Sequence, residues 1–315
     1  MKKADCNIVV IGGGSGNFTI LSGLKKHTQN LTAIVNMVDD GGSSGVLRDE
    51  LGVLPPGDVR QCLVALTEEQ NVVRKLFQYR FEEGGLKGHS FGNLFLTALE
   101  KQSGSFAQAV EMAGKILTIQ GRVLPVTLDN VRLALRYNDG EIVRGESVID
   151  KLRFKNGERP LMYTEPKARI NSEARKAILG ADLIVLAPGT LHTSTLPSLL
   201  IEGVVEAIQE SPAQFVYVCN LVSTPGQTEG FSSADFVQEI ERHTKRNLID
   251  KALYNTKKIP QDILERYAKE GEYLVEHKEG SSAALGHDLI SQSALEAGLI
   301  RHDADAVSKI LLSLL

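Results

Sequence analysis

Apolar residues along this chain fall into two rhythms: short unbroken runs, and longer stretches spaced three or four apart. Cys6 to Ile11 is a short run interrupted only by Asn7, β-branched over its last four residues and closed by glycines, which predicts a buried strand. Ser15 to Lys26 follows with Phe18, Leu21 and Leu24 at helical spacing, and Leu31 to Met37 is a second apolar run. Strand, glycine loop, helix and strand in that order predict the opening unit of a doubly wound sheet.

The next stretch is richer in helical spacing than a crossover needs. Asp58 can cap a helix carrying Val59, Leu63, Val64 and Leu66, and the periodicity recurs over 72–79, 93–101 and 106–117. Val131 to Tyr137 and Glu141 to Glu146, joined by Asn138-Asp139-Gly140, predict a β-hairpin. A helical and hairpin subdomain is thus expected at about 55–150, inside one domain spanning 1–315. Beyond it, helices are predicted over 172–180, 199–209, 234–243 and 304–315, alternating with strands over 183–186, 215–219 and 248–254. This alternation predicts an α/β protein: a Rossmann-like, doubly wound, mainly parallel sheet with helices on both faces. Soft segments are expected around Lys155-Asn156-Gly157 and Glu279-Gly280-Ser281-Ser282.

Composition adjusts this picture in three ways. Aromatic residues are only 5% and Trp is absent, so the core has to be built of Val, Ile, Leu and Ala. A net charge of −4 with scattered basic residues leaves no positive field for nucleic acid. Cys6, Cys62 and Cys219 are far apart with no CxxC pair, which argues against a disulfide framework or structural zinc and suits a reducing, cytoplasmic setting. No stretch reaches the ~18 apolar residues of a membrane span, and the run after Met1-Lys2-Lys3 is too short for a signal segment.

Candidate chemistry sits where the strands end. Gly12-Gly13-Gly14-Ser15-Gly16-Asn17 lets a phosphate approach the start of a helix, whose N–H groups and dipole attract an anion. A Walker A loop would need Lys after Gly16, and a dinucleotide fingerprint would need Gly where Asn17 stands, although Asp39 lies at about the right distance for a ribose hydroxyl. Asp39-Asp40-Gly41-Gly42-Ser43-Ser44-Gly45, with Arg48 beyond, offers two carboxylates for magnesium or a hydroxyl and a set of N–H and O–H donors. Asp58 and Arg60 are balanced between a cap and an anion contact, and His89 and Asn93 open the 93–101 helix. Pro188-Gly189-Thr190-Leu191-His192-Thr193-Ser194 and Asn220 follow two later strands and fall on the same sheet edge. No HExxH, GxSxG or spaced Cys/His set is present, so binding is better supported than catalysis.

Taken together these loops resemble the CofD-like family, which holds bacterial gluconeogenesis factors and the 2-phospho-L-lactate transferase. The resemblance rests on GGGSG at 12–16, TAIVNMVDDGGSSG at 32–45, PPGDVRQCLVAL at 55–66 and FQYRF at 77–81. GHSFGNLFLTAL at 88–99, PGTLHTS at 188–194 and IRHD at 300–303 complete it. It implies a nucleotide or nucleotide-sugar ligand at these loops, of UDP-sugar type in the gluconeogenesis-factor branch. That branch also implies a role linking carbon supply to cell-wall precursor synthesis and cell shape, with Tyr267 and Arg301 at the sugar or base. The transferase branch implies a guanine nucleotide, with Asp39 or Asp40 serving magnesium or the acceptor hydroxyl. Departures from the family pattern are Ser15, Asn17 and Phe18 within the usual GGGTGL, His192 in place of Tyr, and Asn220 to Gly226 in place of Met-Thr-Gln-Pro-Gly.

The expectation is therefore a nucleotide-sugar-binding regulator with no tightly bound cofactor, a homo-oligomer with a protein partner in cell-wall precursor synthesis. The alternatives are a magnesium-dependent phospho-transferase with Asp39 and Asp40 as its catalytic pair and, third, an NAD-binding protein.

Overall fold

Ten short strands organise the fold among the described residues, which in the computed structural model are 5–278 and 284–315. The Met1-Lys2-Lys3 lead and the Glu279 to Ser282 segment lie outside them. The strands are β1 (Ile8–Gly12), β2 (Leu31–Val35), β3 (Arg122–Pro125), β4 (Arg132–Arg136) and β5 (Ile142–Arg144). They continue with β6 (Leu161–Glu165), β7 (Leu183–Leu186), β8 (Gln214–Val218), β9 (Lys251–Asn255) and β10 (Ala284–His287). Seven of them form one sheet in the order β10-β9-β8-β7-β1-β2-β3, and every neighbouring pair is parallel.

β1, β2 and β7 are buried at every residue, with no alternation of inside and outside. Such strands need cover on both faces, and the helices supply it. In chain order these are α1 (Gly14–Leu24), α2 (Gly42–Leu51), α3 (Gly57–Leu66), α4 (Val72–Gln78), α5 (Phe91–Ser103), α6 (Phe106–Leu117) and α7 (Glu146–Asp150). They continue with α8 (Ser172–Leu179), α9 (Leu196–Leu199), α10 (Val204–Glu210), α11 (Ser233–Thr244), α12 (Gln261–Lys269), α13 (Gln292–Glu296) and α14 (Ala304–Ser313). α1 packs against α3 and α14. The approach of α14 is close enough to require Gly23, where a Cβ would lie 2.2 Å from the Ala304 carbonyl oxygen.

The helical stretch after residue 55 does not stand apart from the sheet. α3 lies against α1, and α3 and α6 both pack on β3, within the same apolar core as β1 and β7. What does stand apart is a second, antiparallel sheet in the order β5-β4-β6. Its third strand, β6, carries Met162 and Thr164 on its buried side, too weak an apolar alternation to declare itself. β3 and β10, likewise not anticipated, are four residues each. The helix expected over 199–209 starts only at Val204, with Gly203 at φ +95° as its cap residue, and Leu199 is the last residue of the preceding α9.

From β1 the chain winds one way through β2 and β3; from β7 it winds the other way through β8, β9 and β10. The reversal between β1 and β7 is the switch point at which open α/β sheets leave a crevice beyond the carboxyl ends of their strands. Ile11 is level with Leu186, so the loops that follow β1 and β7 leave the sheet at the same height.

Candidate functional site

β1 ends at Gly12 and α1 begins at Gly14, with Gly13 as a cap residue that has no side chain to offer. Gly14 sits at φ +52°, in the left-handed region that glycine tolerates. The Gly14 N–H is met by the Asp58 carboxylate. Ser15 and Gly16 then present N–H groups that find no acceptor within the helix. A Cβ at Gly16 would fall 1.6 Å from the Pro188 carbonyl oxygen, so the loop after β1 and the loop after β7 touch at that glycine. Asn17 faces the other way: it is fully buried, its Nδ2 donating to Cys62 Sγ at 3.7 Å.

The loop after β2 is tied to both of its neighbours. Asn36 Nδ2 donates to the Thr193 carbonyl at 3.3 Å, bracing this loop against the one after β7. Asp39 accepts from the Gly41 N–H at 3.0 Å and from the Ser44 hydroxyl, while burial raises its pKa. Both Asp40 oxygens are already engaged, accepting from the N–H groups of Glu146 (3.0 Å) and Ser147 (2.8 Å) at the start of α7. Arg132 adds a longer ion pair to Asp40 at 3.7 Å, and the Asp40 side chain is only 5% exposed. Asp40 is thus a clamp between the loop and the antiparallel sheet. Gly41 and Gly42 lead into α2, whose first turn holds Ser43 and Ser44, both buried.

Ser43 is the hub of a polar chain. Asn93 Nδ2 donates to Ser43 Oγ at 3.1 Å, leaving the hydroxyl hydrogen for His89 Nδ1 at 3.0 Å. Arg60 Nε donates to Asn93 Oδ1 at 2.9 Å, so Arg60 supports this chain. Arg48, expected on the phosphate, is directed elsewhere: it is buried, with Nε on Asn130 Oδ1 at 3.1 Å and a terminal nitrogen on the Val131 carbonyl. The pattern of residues 39–48 gives no hint of this, because Asn130 and Val131 are some eighty residues away.

Around the carboxyl end of β2, three acids crowd one another. Asp58 is not the helix cap that its position suggested; Pro56 caps α3, and Asp58 reaches across to Gly14. Burial, and then the charge of Asp39, push its pKa up to about 7. Glu146 rises to about 8, first through burial and then through Asp39, Asp150, Asp40 and Asp58. Among the described residues no group of three His, Cys, Asp or Glu side chains is arranged to hold a metal ion.

The loop after β7 makes a single π-turn over Leu191–Thr195, with the N–H of Ser194 and of Thr195 both donating to the Thr190 carbonyl. A Cβ at Gly189 would lie 2.9 Å from Ser194 Cβ, so the turn folds back on the glycine. Asn220 staples it to β8: its Nδ2 donates to the Gly189 carbonyl at 2.6 Å while the Tyr217 hydroxyl donates to its Oδ1 at 2.8 Å. His192 turns inward, away from the loops, and is buried with Nδ1 3.1 Å from Gln227 Oε1 and its ring edge-on to Phe154. Its Nε2 faces Glu239 of α11 at 3.8 Å. Burial alone would raise the Glu239 pKa, but the facing His192 and hydrogen bonds from Arg242 bring it down to about 2.

These loops enclose a cleft of about 510 Å³ at the switch point. Its walls are Ser15 and Gly16, Pro188 to Thr190, the run from Asn220 to Pro225, Asp150, Glu272 and the Ile300 to His302 segment. Arg301 is exposed on this wall. Tyr267 lies behind it, its hydroxyl oxygen accepting from the Ile300 N–H at 2.9 Å, and so positions the Arg301 segment. His302 donates from Nε2 to the Cys219 carbonyl at 3.1 Å, and burial lowers its pKa to about 4. A larger hollow of about 970 Å³, around Lys25 to Asn30, lies by the amino end of β2, at the opposite edge of the sheet from the loops. Neither Asp39 nor Asp40 lines the cleft. Asp150 and Glu146 reach the site from the hairpin insertion, where nothing in their own sequence neighbourhood marks them.

The whole of this arrangement has relatives. The family described as 2-phospho-L-lactate transferase CofD matches residues 8–295. A putative gluconeogenesis factor of Thermoanaerobacterium thermosulfurigenes is 44% identical over 313 residues, covering 98% of this chain and 96% of the relative. The gluconeogenesis factor of Listeria innocua is 43% identical over 318 residues, covering 100% of this chain and 97% of its own length. A crystal structure of a Bacillus halodurans protein, described as a member of the UPF0052 family, superposes with a TM-score of 0.90 at 39% identity, covering 98% of this chain and 99% of the other.

Proposed function

The chain belongs to the CofD family and groups there with the gluconeogenesis factors, and on that premise we propose that it binds a nucleotide sugar of UDP-sugar type in the switch-point cleft. The observation that carries this reading is the convergence of the loops after β1, β7 and β8 on one cleft, with the Ser15 and Gly16 N–H groups at its wall. The diphosphate lies over the start of α1, where aligned N–H groups and the helix dipole favour an anion. Arg301 supplies the cation on the cleft wall, positioned from behind by Tyr267. The ligand is read as a signal. The protein acts as a cytoplasmic regulator that links carbon supply to cell-wall precursor synthesis and cell shape through a protein partner.

Isothermal titration calorimetry with UDP-N-acetylglucosamine, UDP-glucose, GDP and NAD separates the alternatives. Saturable binding of a UDP-sugar is the expected result. Binding of GDP alone, together with turnover of a phospholactyl donor, would overturn it.

One observation favours a second reading, the phospho-transferase. Asp39, Asp58 and Glu146 all have pKa values raised by burial at the carboxyl end of β2, a cluster that suits acid–base chemistry. With both Asp40 oxygens held by α7, Asp39 is the carboxylate that a magnesium ion bound with substrate phosphates would use. Asp39→Asn then abolishes turnover while leaving the melting curve intact.

A further inference from the structure

One acid on the cleft wall is not explained by phosphate binding. Asp150 ends α7 and is the residue that the antiparallel insertion contributes to the cleft lining. It is held from several sides. Its Oδ1 accepts from the Thr193 hydroxyl at 2.9 Å, and Thr193 is itself buried and braced by Asn36. Gln227, also buried, donates from Nε2 to the carbonyls of Ile149 (2.8 Å), Leu152 (3.1 Å) and Asp150 (3.3 Å), stapling the end of α7 to the 224–228 turn. The carboxylate is therefore preorganised at the cleft, its side chain exposed there and one oxygen already engaged.

An ionised carboxylate can only accept hydrogen bonds, so whatever it meets on the ligand must be a donor. Ionised phosphate has no donor to give. The edge of guanine offers two adjacent N–H donors and suits a carboxylate with both oxygens open, whereas Asp150 has one already committed to Thr193. A sugar hydroxyl gives one O–H and fits the oxygen that remains. Uracil N3–H also gives one, but losing a contact to the base would weaken UDP-N-acetylglucosamine, UDP and 2′-deoxy-UDP equally, which would count against the inference. The position that reads ribose in dinucleotide folds, the acid after β2, does not line this cleft, which leaves that task to a residue elsewhere. We infer that Asp150 is a specificity-determining residue, accepting a hydrogen bond from a sugar hydroxyl of the bound ligand through the carboxylate oxygen that Thr193 leaves open.

This inference rests on the nucleotide-sugar reading above, and its test keeps the two apart. The full chain, Asp150→Ala and Asp150→Asn are titrated calorimetrically with UDP-N-acetylglucosamine, UDP and 2′-deoxy-UDP, with melting curves run beside them. Asp150→Ala is expected to bind UDP-N-acetylglucosamine about tenfold or more weakly, as loss of a charge-assisted hydrogen bond requires. A loss equal for UDP and UDP-N-acetylglucosamine, and absent for 2′-deoxy-UDP, assigns the contact to ribose; a loss confined to UDP-N-acetylglucosamine assigns it to the hexose. Asp150→Asn keeps the shape and the Thr193 contact, so a folded Asp150→Asn protein with weakened binding supports the inference even where Asp150→Ala melts early. A charge that merely sat near the phosphates would act with the opposite sign, since its removal relieves repulsion. Unchanged or tighter binding by folded variants, with the wild type binding well, overturns the role of Asp150 and spares the function. Absence of nucleotide-sugar binding by the wild type overturns both.

Discussion

Single side chains at this site divide into those the sequence marks and those that only distant packing directs. The glycines at 12–16 are marked, because a strand that ends in four of them implies a close approach, and Gly16 does meet Pro188. Arg48, Asp58 and His192 are not, since their directions are set by Asn130, Gly14 and Glu239, none of them near in sequence. Asp58 yields a pH prediction. Folded, it keeps its proton to about pH 7, whereas the unfolded chain releases it near 3.8, so it costs stability as pH rises across that interval. Asp58→Asn removes the cost while its amide oxygen still accepts from Gly14. Its melting temperature relative to wild type should rise by at least ~1.5 °C between pH 5 and pH 8, as a difference of about 1 kcal/mol produces in a chain of this size. Equal offsets at both pH values would count against the buried charge. Asp40 predicts the reverse kind of effect: Asp40→Ala uncaps α7 and should cost about 1–2 kcal/mol in urea unfolding, with Asp40→Asn costing less. An unchanged midpoint would show that the clamp carries no load.

Among elements, the strands next to the switch point were legible because each is an unbroken apolar run closed by glycine, Asp-Asp or Pro-Gly. β3 and β10 were not: as short as β7, they lack its four apolar residues, mixing Arg122 and Pro125, or Gly286 and His287, into four positions. In the 55–150 stretch, helical spacing shows that a face is apolar without showing what it covers. Here α3 and α6 turn that face to β3. The contact between the loops after β1 and β7 gives a prediction at this scale. Gly16→Ala forces the Pro188 carbonyl away from α1 and opens the cleft wall, so binding of UDP-N-acetylglucosamine should fall at least ~100-fold, beyond the loss of one hydrogen bond. Gly85→Ala, at a loop glycine with open space around it, serves as the control and should bind as wild type does. Equal affinities for the two variants would contradict the packed-loop description.

At the scale of the molecule, the titrating groups oppose each other in pairs. His243 and His302, each lowered to about 4 by burial, add stability as pH rises from 4 towards 6.5, because the unfolded chain binds the extra protons there. Asp58 and Glu146, raised to about 7 and 8, subtract it over an overlapping range and beyond. Glu239, lowered to about 2, loses its contribution once pH drops below 4.5. Urea unfolding should therefore show a plateau between about pH 4.5 and 6.5, a fall on the acid side and a second fall by pH 8; a stability still rising at pH 8 would contradict these assignments. The family was legible because its loops recur in order along nearly the whole chain, whereas the cleft was legible only in part: the loops after β1, β7 and β8 and the Arg301 segment carry motifs, but the wall at Asp150 carries none. What that cleft holds decides the function. A crystal structure of the protein with UDP-N-acetylglucosamine tests it most directly. The diphosphate should lie within hydrogen-bond reach of the Ser15 and Gly16 N–H groups, with Arg301 on the same ligand. A ligand bound elsewhere, such as the hollow around Lys25 to Asn30, with these N–H groups facing only water, would contradict it.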